Sequence, residues 1–196
     1  MLIGLLGRVV LLIPLMAVVP SYGSSVTGWD FNQYDGDVRR ISASDGQGSL
    51  VIEEDWNAMS LSNPAGSKLN AVESRDAGKA LSLSGMARNG KSFELFVPLE
   101  SCPGTQVSAA VRRSGTGFGT LRLTWSQDGG KTFQDGPTWS IGETWAMHSA
   151  DLAMKGTPSQ LIIRFELDGA SSSRGTLLVD NLQIRCLRPQ SERPEN

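Results

Sequence analysis

Apolar residues recur at every second position in a series of short segments, and glycine- or proline-containing turns separate those segments. Phe93, Leu95, Val97 and Leu99 share one side of such a run; Val107, Ala109 and Val111 follow, then Leu121, Leu123 and Trp125. Further on, Leu161, Ile163, Phe165 and Leu167 alternate with Ile162, Arg164 and Glu166, and a last run carries Leu178, Leu182, Ile184 and Cys186. A period of two places side chains alternately on the two faces of a β-strand and cannot produce a helix stripe. Turn residues punctuate the runs at Gly85 to Gly90, Pro103-Gly104, Gly115 to Gly119, Gly129-Gly130 and Gly156 to Pro158. Antiparallel strands joined by such turns must each bury one face, and two packed sheets do so. The expected fold is therefore all-β, a two-sheet antiparallel β-sandwich (jelly roll). Segment 36–76 is less regular and reads as loop-rich, with short strands near Leu50 to Glu53 and Met59 to Leu61.

Ahead of this domain stands a hydrophobic N-terminal stretch. Arg8 precedes an apolar run from Val9 to Val19, too short to cross a hydrocarbon core of about 30 Å as a helix. It reads as a signal helix. Pro20 ends the run, and Ser21-Tyr22-Gly23 sets small residues at the two positions that signal peptidase inspects, so cleavage is expected after Gly23. No cysteine follows the run, against lipid modification, and Arg39-Arg40 lies beyond it, against twin-arginine export. The expected organisation is a signal peptide over 1–23, a β-sandwich domain over 24–188 and a polar tail over 189–196. The mature form is expected not to span a membrane and to be secreted, periplasmic or at the cell surface.

A net charge of −2 excludes the basic surface that a phosphate backbone requires, so nucleic acid is not an expected partner. The chain holds two cysteines, Cys102 and Cys186, and an exported protein meets oxidising conditions, so one disulfide between them is expected. A zinc site needs three or four ligands, and two cysteines with one histidine do not supply a plausible set.

Several motifs follow one another in a familiar order. Gly78-Lys79-Ala80-Leu81-Ser82-Leu83 opens the series, then Arg112-Arg113-Ser114-Gly115-Thr116-Gly117-Phe118, then Trp125-Ser126-Gln127-Asp128-Gly129-Gly130-Lys131-Thr132-Phe133. Trp145, Asp151-Leu152, Ile163-Arg164-Phe165, Gly175-Thr176 and Val179-Asp180-Asn181-Leu182 complete it, and Trp29-Asp30-Phe31-Asn32 matches near the N-terminus. In this order they resemble the galactose-binding-like, carbohydrate-binding-module-like jelly-roll domains of exported bacterial proteins. Residues 126–133 also resemble an Asp-box, a hairpin whose chemistry is structural: the aspartate accepts turn amides, the glycines take positive φ, and the aromatic residue packs beneath. A sialidase propeller repeats such boxes, and this chain has one copy.

The resemblance implies candidate sites. Asp180 falls in the core pattern of the last strand, where a carboxylate needs compensation. In carbohydrate-binding jelly rolls a structural calcium joins the last strand to the first, and Asp180, Asp30 and Asn32 offer oxygens of the kind such a cation takes. The alternative is that Asp180 sits near a strand end and accepts backbone or arginine hydrogen bonds. For a glycan, aromatic faces pack on the C–H face of a pyranose, which makes Trp139, Trp145 and Trp56 the candidate ligand-binding residues. Trp139, two residues beyond Gly136-Pro137, is expected near a loop, while Trp125 and Trp29 are expected in the core.

Catalytic readings find less support. A serine triad would have to use His148, the one histidine, and no Gly-x-Ser-x-Gly elbow is present. Glu53-Glu54-Asp55 supplies carboxylates, but neighbours in a strand face opposite ways. The reading is an exported non-catalytic module for a glycan or other cell-surface polymer, with a structural calcium as candidate cofactor. An adhesion or matrix domain that recognises an envelope protein is the alternative, and a polysaccharide-active enzyme the third.

Overall fold

The computed structural model describes residues 21–188 apart from 34–38, 53–55, 57–60, 63, 73–74, 101 and 157. The expected signal helix, the polar tail and the acidic triplet at 53–55 lie outside the described residues. Among the described residues thirteen strands form: β1 (Ser21–Trp29), β2 (Arg40–Ser42), β3 (Asp45–Gly46), β4 (Ser49–Ile52), β5 (Leu61–Ser62), β6 (Leu81–Ser84), β7 (Ser92–Pro98), β8 (Gly104–Arg113), β9 (Thr120–Ser126), β10 (Gln134–Ser140), β11 (Ala146–Ala153), β12 (Gln160–Asp168) and β13 (Thr176–Arg188). The fold is an all-β sandwich of two antiparallel sheets. One runs β10-β9-β12-β7-β4-β2; the other runs β11-β8-β13-β1-β3, with β6 also on β13 and β5 on β6. Among the described residues no helix is long and apolar enough to cross a membrane.

The period-two pattern explains the core directly. Phe93, Leu95 and Val97 of β7, Leu121 and Leu123 of β9, and Leu161, Ile163, Phe165 and Leu167 of β12 all point inward and are buried. Facing them across the sandwich are Val107 and Val111 of β8, Leu81 and Leu83 of β6, and Leu177, Val179, Leu182 and Ile184 of β13. Phe93 stacks on Phe165 with ring centroids 5.0 Å apart. Each such side chain contributes about 1.5 to 3 kcal/mol by leaving water, so this interior fixes the register of both sheets.

Strand β13 is the spine of its sheet, pairing with β8 on one side and with β6 and then β1 on the other. Its alternation slips once. The pairing with β8 shifts between Asp180 and Gln183, and Asn181 there takes a positive φ of 46°. The extra residue is a β-bulge, and it changes which side chains face inward. Leu177 and Val179 precede it in the core, Leu182, Ile184 and Cys186 follow it there, and Leu178, Asp180, Gln183 and Arg185 occupy the other face. The expectation that Asp180 shares a face with Leu182 and Ile184 is therefore corrected: Asp180 lies on the outer face, and strict alternation fails because the bulge inserts one residue. Cys102 and Cys186 are disulfide-bonded, their Cα atoms 5.5 Å apart.

Candidate functional site

The outward residues of the six-stranded sheet fall into register across all its strands. Arg40 stands opposite Val51, Val51 opposite Glu94, Glu94 opposite Arg164, Arg164 opposite Thr124, and Thr124 opposite Asp135. Neighbouring strands lie about 4.8 Å apart, so this row runs roughly 24 Å across the sheet. A depression of about 400 Å³ opens on it between Val51, Gly90, Ser92, Glu94, Arg164 and Glu166.

The charges here hold one another in place. Arg164 donates through Nε at 2.8 Å and lies 2.7 Å through Nη2 from Glu94 Oε1. Its guanidinium also lies over the Phe133 ring, 4.1 Å from the centroid, an attraction between cation and π-face. Arg122 pairs with Asp135 at 2.7 Å and lies 4.0 Å from Glu166, and Arg40 donates to the Ser49 hydroxyl at 2.9 Å. The face thus presents donors and acceptors side by side, the requirement for binding hydroxyl groups that each donate and accept.

Phe133 reaches Arg164 because the turn between β9 and β10 is built rigidly. Asp128 Oδ1 accepts from the Ser126 hydroxyl at 2.7 Å and the Thr132 N–H at 3.0 Å, and Oδ2 accepts from the Thr132 hydroxyl at 2.6 Å. These bonds, the Thr132 hydroxyl first, hold the Asp128 carboxyl well below the usual carboxylate range. Gly129 and Gly130 supply the positive φ values of 74° and 86° that the turn needs.

The tryptophans chosen from the sequence do not assemble on this face. Trp139, expected near a loop, lies within β10 on the inward side, 5 % exposed, stacked on His148 and packed against Phe165. Trp56 is fully buried beside Phe118, with the Arg88 guanidinium over its ring. Both placements correct the ligand-platform expectation: a ring enclosed by the core has no face left for a sugar. Trp139 follows Gly136-Pro137 closely, but a register shift in the β9–β10 pairing carries it back into alternation opposite Leu121. Only Trp145 of the three is part-exposed; it immediately precedes β11, beside the other sheet, with the Arg112 guanidinium of β8 5.6 Å from its ring centroid. His148 is half-buried at the seam between β10 and β11, and burial lowers its pKa.

The three expected cation ligands are divided by the structure. Asp180 is fully buried, its Oδ2 accepting the Ser67 N–H at 2.6 Å and its Oδ1 the Asn181 N–H at 2.7 Å. Burial pushes its pKa up to about 7; the two N–H groups oppose that rise and the charge of Asp30 adds to it. Around Gly66, Asp180 Oδ2 and the carbonyl oxygens of Ala77 and Lys79 converge so closely that all three lie within 2.3 to 2.5 Å of where a Cβ would stand. Asn32 borders this cluster, its Oδ1 accepting the Lys79 N–H at 2.8 Å. Asp30 is turned elsewhere, accepting from the Ser44 hydroxyl at 2.7 Å and the Asn32 N–H at 3.1 Å, with Arg75 at 3.3 Å. Among the described residues no group of three or more His, Cys, Asp or Glu side chains stands ready for a metal. Asp180 and the two carbonyls supply hard oxygen donors that suit calcium, fewer than its usual six to eight.

A larger hollow of about 700 Å³ lies beside the turn after β1, between Phe31, Arg40, Ser44 and Arg75. There Arg75 forks onto both carboxylate oxygens of Asp45 at 2.8 Å.

In its fold this β-sandwich is similar to solved domains of two kinds, a xylan-binding domain and an adhesin domain. The CBM22-1 xylan-binding domain of Paenibacillus barcinonensis Xyn10C is similar to it with a TM-score of 0.53 and 16% identity, over 88% of this chain and 99% of that one. The K1 cleaved adhesin domain of Lys-gingipain from Porphyromonas gingivalis W83 is similar with a TM-score of 0.54 and 12% identity, over 85% of this chain and 100% of that one. At such identities the likeness is one of fold. No protein-family model matches the chain, and no curated protein matches it.

Proposed function

We propose that the protein is an exported, non-catalytic module that binds a glycan or other hydroxyl-rich cell-surface polymer across the outer face of its six-stranded sheet. The row from Arg40 to Asp135 carries this reading, because it offers paired donors and acceptors along a line crossing every strand. The fold it shares with a xylan-binding domain supports the reading, and the disulfide supports export. Trp145 lies just before β11, against Arg112 of the seven-stranded sheet, and is not part of this surface. A structural calcium belongs to the same proposal: Asp180 and the carbonyls of Ala77 and Lys79 would hold it, with Asn32 alongside and Asp30 outside the first ring of ligands. The cation would bind the loop at 64–79 to β13 and take no part in recognition.

The test is a pull-down on insoluble polysaccharides and a glycan array, comparing wild type with Arg164→Ala. The variant is expected to lose tenfold or more of the affinity for whatever polymer the wild type retains, about 1.4 kcal/mol. Its thermal midpoint is expected to stay within about 3 °C of wild type, since a partly exposed ion pair contributes about 0 to 1 kcal/mol. Retention of the polymer at full affinity by Arg164→Ala would remove this face from the binding site. A folded wild type that retains no polymer would favour a protein-binding adhesion role.

A further inference from the structure

The two sheets end in edges of very different character. β3 and β5 have two residues each, β2 has three and carries Arg40, and β10 is interrupted by a register shift at Gly136-Pro137. Short strands, charges, prolines and bulges are the devices that keep an edge from pairing with another chain. β11 is long and unbulged by comparison, and its one carboxylate is Asp151. Its eight residues pair with β8 in unbroken register from Ala146 to Ala153, with no proline, lysine or arginine; its other edge is hydrogen-bonded to no strand among the described residues, and β10 touches it from the facing sheet where Trp139 stacks on His148. Met147 on this strand is 58% exposed.

We propose that β11 pairs antiparallel with β11 of a second copy, about a two-fold axis at Ala150, joining two sheets into one. Such an axis keeps outer faces together, so outward residues meet only outward residues. Charge selects the register. Centring on Asp151 would oppose two carboxylates, centring on His148 two imidazoles, and centring on Ser149 would set the Met147 thioether against a carboxylate. Centring on Ala150 sets Ser149 opposite Asp151 of the partner subunit, twice, so that each hydroxyl donates to a carboxylate. Met147 then covers Ala153 of the partner subunit. Gln106 Nε2 donates to Asp151 Oδ1 at 2.8 Å, which orients the carboxylate and leaves Oδ2 to accept. A second copy is the occupant because its edge is open over the same residues and, in this register, sets a hydroxyl donor opposite each carboxylate. Seven paired residues bury less than the roughly 1,200 Å² of a standard interface, so the dimer is weak, with a Kd in the micromolar range or above.

Sedimentation equilibrium of the purified protein, from about 5 to about 500 μM, tests this. The wild-type mass is expected to climb from monomer toward dimer. Ser149→Asp, which sets like charges against one another at two places, should weaken dimerisation at least tenfold while keeping the wild-type unfolding midpoint. Ser149→Lys faces Asp151 of the partner subunit and should dimerise at least as well as wild type. A wild type that remains monomeric to the highest concentration overturns the proposal, as does an equal response to the two substitutions.

Discussion

Replacing Cys102 and Cys186 together by alanine is expected to lower the free energy of unfolding by about 4 kcal/mol. The bond closes a loop of 84 residues, and constraint of the unfolded chain over a loop of that length is worth at most about 4 to 5 kcal/mol. Its position adds to the effect. Cys186 stands opposite Thr105 near one end of the β8–β13 pairing, and Cys102 lies just before β8 begins. The staple therefore holds together the two strands on which the rest of the seven-stranded sheet is assembled. Both residues are buried, at 1% and 6% exposure, so the alanines also leave unfilled volume in the core. Urea unfolding of the double variant, and of the wild type with and without reductant, measures the difference. For a domain of this size the thermal midpoint should fall by about 8 to 16 °C. A loss below about 1 kcal/mol would mean that the unfolded chain is already compact without the bond.

How far the sequence was legible depends on what each strand faces. β7, β9 and β12 could be read because one side of each is wholly apolar while the other is mostly polar, Phe96, Pro98 and Ile162 excepted, so period two survives without interruption. β13 could be read as a strand, but the side its residues face could not, because Asn181 inserts a bulge that no propensity announces. The tryptophans misled for a related reason. Trp139 and Trp56 are surrounded by turn residues in sequence, yet a large aromatic gains most by burial, and both fill the interior. The candidate binding face was present in the same alternation that defined the core: Arg164 and Glu166 were visible as the polar half of β12. Their partners were not. Glu94 and Thr124 come beside Arg164 only through pairings with strands about 70 and 40 residues distant, which no local pattern encodes.

Replacement of the buried Asp180 by alanine is expected to cost about 2 to 5 kcal/mol. The N–H groups of Ser67 and Asn181 would each lose their acceptor while still shut away from water, and each such orphan costs about 1 to 3 kcal/mol. The loop would keep the bonds that Asn181 Nδ2 makes to the carbonyls of Ser67 and Leu69, that Asn70 makes to Ser108 and Asn181, and that Gln183 Nε2 donates to the Asn70 carbonyl. The sign of the pH dependence follows from a pKa raised to about 7 in the folded chain against an ordinary 3.8. The folded state then holds a proton that the unfolded state has released, so Asp180 supports the metal-free fold below about pH 4, and that support drains away as pH rises through 7. His148 acts in the opposite sense: burial lowers its pKa, so its contribution is complete above 6.5 and is lost as pH falls. Comparing wild type with Asp180→Asn in chelator isolates the first effect, because His148 is common to both. The wild type should lose stability relative to Asp180→Asn between pH 4 and 8. Adding calcium at pH 8 should raise the wild-type midpoint by about 5 to 10 °C at a concentration near a hundred times its Kd, and should leave Asp180→Asn nearly unmoved. If chelator and calcium give the same midpoint for the wild type at pH 8, no calcium is held by Asp180 and the carbonyls of Ala77 and Lys79. The structural cation would then have to be abandoned while the buried hydrogen bonds of Asp180 stand.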